Sequence, residues 1–294
     1  AMVVGLLRTS ISGVVWYQGE NNAAYPRRYN CSFRAMIADW RAKWHANTDG
    51  ATSAAFPFGW AQLNSCGTGA ADYTNRTFNP SSPPSDCGHG CTPGCSTTCL
   101  GEFHEWGDYE NGFTGIRYAQ TNTLSLPETF QAVIIDTPVA SGSIHSPFKQ
   151  PVGRRLARGA LAVAYGLDQL HAVDPIVASV ALRAGQVVVT VGGLGGGGVI
   201  ADIGARGFEV LGNCTGPVLC WMASPIAAAS GDSVMLAVLP AAPQAVRYLW
   251  YIDAVGVYPF QAPIYAKAPA LPGAPRSKYS GGDLLPLGPF VLPL

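Results

Sequence analysis

Two kinds of apolar run alternate through the first half of the chain. Gly13-Val14-Val15-Trp16-Tyr17 is short, continuous and rich in β-branched and aromatic residues, which predicts a buried strand. Tyr25, Tyr29, Phe33, Met36, Ile37, Trp40 and Trp44 then recur at three- and four-residue steps, the period of one helix face. Residues 56–63 predict a second strand, residues 115–124 a second helix, and Phe130-Gln131-Ala132-Val133-Ile134-Ile135 a third strand. Residues 147–165 predict a helix with Val152, Leu156, Ala160 and Ala164 in register and Gly166 as its stop. Strands alternating with helices predict an α/β fold, a parallel sheet with helices on its faces.

From Asp174 onward the period changes to two. Residues 176–182, 187–191, 208–211, 234–239 and 246–252 predict the strands of a small antiparallel β-domain, with Cys214 and Cys220 bracketing one turn. The chain therefore divides into an α/β part (1–171), a β-domain (172–262) and a Pro/Gly-rich, largely irregular tail (263–294). Residues 64–112 interrupt the α/β part with a Gly/Pro/Ser/Cys-rich insertion, far longer than an ordinary connection.

Composition narrows the class. Hydrophobic residues make up 48% of the 294 and charged ones 12%, which excludes disorder. Lys plus Arg and Asp plus Glu both number 18, so a neutral chain with no basic run argues against nucleic-acid and anionic-membrane partners. No apolar run is long enough to predict a transmembrane helix. Of the 8 cysteines, Cys87, Cys91, Cys95 and Cys99 crowd into the insertion and predict disulfides in an oxidising compartment. Zinc is the alternative for this quartet, with His89 and His104 nearby, but structural zinc sites usually use two separated knuckles. Sequons at Asn30, Asn75 and Asn213 point the same way as the cysteines, towards a secreted, extracellular or lysosomal glycoprotein. Residues 1–8 are not a signal peptide, which predicts a removed leader or a chain that starts mid-protein.

Two motifs mislead. Gly193-Leu194-Gly195-Gly196-Gly197-Gly198 fits a dinucleotide-binding pattern, but the short β-branched stretch after it cannot form the helix that cradles a pyrophosphate. A glycine-rich hairpin turn is the better reading. Gly231-Asp232-Ser233 resembles the nucleophile block of GDSL-type esterases, yet Ser233 opens a predicted strand of the β-domain instead of a helix. It reads as a turn.

A third segment carries chemistry. Gln18 and Glu20 directly follow the first predicted strand, at the carboxyl edge where open α/β sheets place their sites. His145 follows the strand that ends near Asp136. A histidine at one strand edge and a carboxylate at another can form the base and orienter of a hydrolytic triad. From spacing alone an ordinary surface histidine is the simpler reading.

The string Gly13-Val14-Val15-Trp16-Tyr17-Gln18-Gly19-Glu20-Asn21-Asn22 closely resembles the signature of sialate O-acetylesterases, in the carbohydrate acetylesterase branch of the SGNH hydrolases. The likeness continues through Asp39-Trp40-Arg41, Phe56-Pro57-Phe58-Gly59, Gln62-Leu63, Gly142-Ser143-Ile144-His145, Arg155-Leu156, Cys220-Trp221, Arg247-Tyr248-Leu249-Trp250 and Pro263-Ile264-Tyr265. It skips the cysteine-rich insertion.

The resemblance implies a partial SGNH-like sheet and hydrolysis of acetyl esters on sugars, with O-acetylated sialic acid as substrate. It also implies a serine nucleophile, His145 as general base, Glu20 as orienter, and Gln18 as oxyanion amide or loop-positioner. No cofactor or metal is implied. Many relatives carry an Asp two residues before the histidine, where this chain has Ser143, so Asp136 is the second candidate for orienter. The family's Gly-Gln-Ser-Asn-type nucleophile block lies well upstream of the Trp-Tyr-Gln-Gly-Glu string, and residues 1–15 hold no such block. The expectation is a C-terminal part of an esterase, inactive alone and partnered by a missing N-terminal segment of the same protein. An acetyl xylan-type esterase and a non-catalytic carbohydrate-binding homologue are the alternatives.

Overall fold

The computed structural model describes residues 2–23, 25–65, 76–77, 112–138, 144–170, 174–195, 197–215, 218–237, 239–250, 259–279 and 283–294. In it the predicted alternation becomes β1 (Val14–Trp16), α1 (Pro26–Asn47), β2 (Phe58–Gln62), β3 (Arg76–Thr77), α2 (Gly112–Asn122), β4 (Thr129–Val133) and α3 (Lys149–Tyr165). β1, β2 and β4 form a parallel sheet in that order, with Val15 opposite Gly59 and Gly59 opposite Phe130. All five residues of β2, the central strand, are buried.

The two-residue period of the strands sorts their side chains onto two faces. Phe58 and Trp60 meet Phe33, Ile37 and Trp44 of α1 and Ile116 and Ala119 of α2. Ala61, Phe130 and Ala132 point the other way, against Val152 and Leu156 of α3. Phe130 fills a slot that only glycines leave open. A Cβ on Gly59 would lie 1.9 Å from its ring, and one on Gly159 2.5 Å. α3 ends as predicted, on Gly166 in the left-handed conformation (φ 66°).

The rest of the described chain is antiparallel. It comprises β5 (Ile176–Arg183), β6 (Gln186–Gly192), β7 (Val199–Ala201), β8 (Phe208–Thr215), β9 (Val218–Ala223), β10 (Ile226–Ser230), β11 (Ser233–Leu236), β12 (Ala241–Tyr248), β13 (Ile264–Lys267), β14 (Leu284–Pro286) and β15 (Phe290–Pro293). They pair in three sheets, β10-β11-β6-β5, β15-β12-β8-β9-β3 and β14-β13-β7. Val187, Val189 and Val191 alternate into a core that also takes Val133 and Ile135 from the end of β4. The α/β part and the β part thus share apolar packing.

Several expectations are corrected. The Pro/Gly-rich tail, expected to be largely irregular, also carries three short strands: β13 pairs with β7 and with β14, and β15 pairs with β12. The glycine-rich segment after β6 is a turn but not a hairpin, since the strand it leads to, β7, pairs with β13 and not with β6. Gly231-Asp232 is the two-residue turn between β10 and β11, as expected of a turn reading. Asn30 lies inside α1 at 3% exposure, so its sequon offers no side chain to a glycosyltransferase in the folded protein. Arg76–Thr77, within the insertion, adds a strand to β9. Cys87, Cys91, Cys95, Cys99 and Ser143 lie outside the described residues.

Asp174 ties the two parts together. Its Oδ2 accepts the Val133 backbone N–H at 2.5 Å, where β4 stops. Burial pushes this carboxyl up to about 7, against the opposing pull of Arg155, the Val133 N–H and Arg158. The unfolded chain gives up the same proton near pH 4. Between about pH 4 and 7 the native state therefore binds more protons than the unfolded one, and stability falls as pH rises. Urea unfolding at pH 4.5 and 7.5 should show the wild type losing stability relative to Asp174→Asn. A pH-independent difference between the two proteins would refute this assignment.

Candidate active site

The carboxyl ends of β1, β2 and β4 open onto one edge of the parallel sheet, and each releases polar residues there. β1 runs into Tyr17-Gln18-Gly19-Glu20. Gly19 takes a positive φ of 154°, and a Cβ there would come within 2.8 Å of Ile116 on α2. The loop is held from two sides. The Gln18 carbonyl accepts the Tyr29 hydroxyl at 3.1 Å and the Gln120 side-chain amide at 3.2 Å. The Gln18 side chain donates to Asn22 Oδ1 at 2.6 Å, so its N–H is engaged within its own loop. Glu20 is half-buried. Burial and, secondarily, the negative charge of Glu20 push the Tyr17 phenol up to about 12.

β2 continues into Leu63-Asn64-Ser65, all buried. Two polar residues of α2 hold this segment. Gln120 Oε1 accepts the Leu63 N–H at 3.0 Å, while its amide also donates to Ala61 O at 3.3 Å. Arg117, fully buried, donates from Nε to Leu63 O at 3.0 Å and from a terminal nitrogen to Asn64 O at 2.5 Å. Gln120 thereby joins the β1 loop to the β2 end. Asn64 Oδ1 is buried without a hydrogen-bond partner among the described residues. Sequence reasoning missed Arg117, Gln120 and Asn64. The available signal was a charged and an amide side chain one helical turn apart on a helix that packs against the sheet.

β4 leads to Asp136, which is fully buried. Both carboxylate oxygens are engaged. Arg155 donates to Oδ1 at 2.6 Å and to Oδ2 at 2.8 Å, and the Tyr265 hydroxyl donates to Oδ2 at 3.0 Å. The same guanidinium reaches Val133 O at 2.8 Å and Leu284 O at 2.9 Å. The Tyr265 phenol is raised by burial and by the charge of Asp136.

His145 is exposed, on the approach to α3. The Phe148 N–H donates to the buried Ser146 hydroxyl at 3.2 Å, turning the chain into the helix. At the helix start the Lys149 ammonium lies 4.3 Å from the centroid of the Tyr17 ring. Lys149, four residues after His145, thus contacts Tyr17, three residues before Glu20. Asp136 lies on the same sheet edge, bonded to Arg155 and Tyr265.

No protein-family model matches the chain. Curated relatives do. Sialate O-acetylesterase of Rattus norvegicus is 36% identical over 194 residues, covering 63% of this chain and 29% of that protein. The Homo sapiens sialate O-acetylesterase is 33% identical over 194 residues, covering 63% of this chain and 30% of its own length. The crystal structure of a carbohydrate acetylesterase from Xanthomonas citri matches with a TM-score of 0.66 at 26% identity, over 99% of this chain and 52% of that one. The chain thus spans under a third of those curated relatives and about half of the solved one. By sequence it is a distant homologue of the sialate O-acetylesterases, and by fold it matches a carbohydrate acetylesterase.

Proposed function

We propose that this chain forms the histidine-bearing part of a carbohydrate O-acetylesterase that releases acetate from O-acetylated sialic acid. The observation that carries the reading is the contact of Lys149 with Tyr17, which joins the His145 segment to the Gln18–Glu20 loop at one sheet edge. His145 is the general base, taking a proton from a serine hydroxyl as it attacks the acetyl carbonyl and returning it to the sugar oxygen. Glu20 holds the imidazole, and the loop-bound Gln18 positions Glu20. Asp136 is an anchor for Arg155. The serine comes from polypeptide outside residues 1–294, so this chain alone has no appreciable turnover.

A secretory-pathway setting, lysosomal or extracellular, accompanies this reading. Cys31 and Cys220, each disulfide-bonded, support an oxidising compartment.

The test compares residues 1–294 with the full-length polypeptide that contains them, on an aryl acetate and on O-acetylated sialic acid. Turnover of both substrates by the longer protein alone, lost in its His145→Ala variant, is the expected result. Vigorous turnover by residues 1–294 would show that the nucleophile lies within them. Preference for acetylated xylan would reassign the sugar.

A further inference from the structure

We propose that Lys149 and Lys278, with the rings of Phe148, Phe260 and Tyr279, form a subsite beside His145 that selects a sugar bearing a carboxylate. This rests on the esterase reading and names the feature of the substrate that the site rewards.

The three rings make one cluster. Phe148 meets Phe260 edge-on at 5.6 Å and Tyr279 at 5.3 Å, and Phe260 lies 5.9 Å from Tyr279. Each is only half-buried, so the cluster keeps ring surface towards solvent. Phe148 is three residues beyond His145, a separation the backbone spans in at most about 11 Å. Half-buried rings beside a reacting group suit the apolar face of a sugar ring, as ligand sites commonly do.

Two cations border the cluster. The Lys278 ammonium lies 4.9 Å from the Tyr279 ring centroid, and Lys149 lies over Tyr17. Both lysines are exposed, and neither has an ion-pair partner among the described residues. Lys149 opens α3, where the helix dipole disfavours a cation, so helix stability does not explain it. The neighbouring acids are committed. Asp283 is paired with Arg154 at 2.6 Å and Asp136 with Arg155 at 2.6 Å, while Glu20 serves His145 in the proposed mechanism.

The turn that presents Lys278 and Tyr279 is built onto α3. The Lys278 N–H donates to Gln150 Oε1 at 3.1 Å, and the Tyr279 N–H to Ser277 Oγ at 3.2 Å. Arg154 reaches Pro275 O at 2.5 Å, and Asp283 Oδ2 accepts the Ser277 N–H at 2.9 Å. The helix that follows the histidine segment therefore also fixes the cation and the ring, a preorganised arrangement.

The experiment uses the full-length polypeptide and two probes, N-acetylneuraminic acid and its C1 methyl ester, which differ by one charge. Binding by calorimetry should favour the acid by about tenfold at low salt, the scale of two exposed charge pairs. The preference should shrink at 0.5 M salt. Lys149→Gln with Lys278→Gln should equalise acid and ester, whereas Tyr279→Ala should weaken both alike. Equal affinity for the two probes, binding of neither, or a preference that survives both lysine substitutions would overturn the proposal. Because binding is read without turnover, failure of the esterase reading registers separately, as loss of aryl acetate hydrolysis by the same protein.

Discussion

Arg155→Ala should cost about 3–5 kcal/mol of unfolding free energy, the range for removing one partner of a buried ion pair. The side chains of Arg155 and Asp136 are 1% and 0% exposed, and their pairing is bidentate. Truncating the arginine leaves the Asp136 carboxylate buried with the Tyr265 hydroxyl as its remaining side-chain donor. It also strips the donors from Val133 O and Leu284 O, which lie on β4 and β14. One guanidinium thus links a helix, the parallel sheet and the C-terminal strands. Asp136→Ala should be similarly damaging, because it strands the guanidinium. The double variant should cost clearly less than the sum of the two, since neither charge then remains unpaired. Lys43→Ala provides the contrast. Its pair with Asp39 is half-exposed, and its loss should cost under about 1 kcal/mol. Urea unfolding of the set measures all four values, and a mild, additive Arg155–Asp136 pair would contradict the linking role.

How far the sequence revealed this depends on whether the physics of each element is local. β1, β2 and α1 were legible because their apolar periods are long or β-branched, and tertiary packing agrees with them. β13, β14 and β15 were not. They are three or four residues long, too short for a period to register, and β13 and β15 pair with the sequence-distant β7 and β12. Asp136 shows the same limit at the site. A carboxylate at a strand's carboxyl end looks alike in sequence whether it orients a histidine or anchors an arginine. The residues that bond it, Arg155 on α3 and Tyr265 on β13, lie 19 and 129 positions away. Beyond their one-turn spacing, Arg117 and Gln120 left no mark for a related reason, since they act on backbone carbonyls and amides. Asn30 was readable after all. With Phe33, Ile37, Arg41 and Trp44 it follows the helical step of the buried face, and that periodicity outweighs a three-residue sequon.

The largest kinetic effect short of removing His145 is expected from Glu20→Gln in the full-length polypeptide. Gln is close in size to Glu and can still accept a hydrogen bond, so the loop held by Tyr29 and Gln120 should keep its place. What disappears is the negative charge that, in the proposed mechanism, fixes the imidazole tautomer and stabilises the imidazolium formed in acyl transfer. In hydrolases whose histidine is held by a carboxylate, that change lowers kcat by about 10⁴. A drop of about 10³–10⁴ in kcat with KM nearly unchanged is therefore expected, because the loss falls on the transition state. Asp136→Asn should behave differently. It disturbs the Arg155 pair, so its effect should appear first in unfolding, with kcat falling far less in the fraction that remains folded. The reverse result, an Asp136→Asn enzyme crippled in kcat at full stability beside a Glu20→Gln enzyme of normal rate, would transfer the orienting role to Asp136.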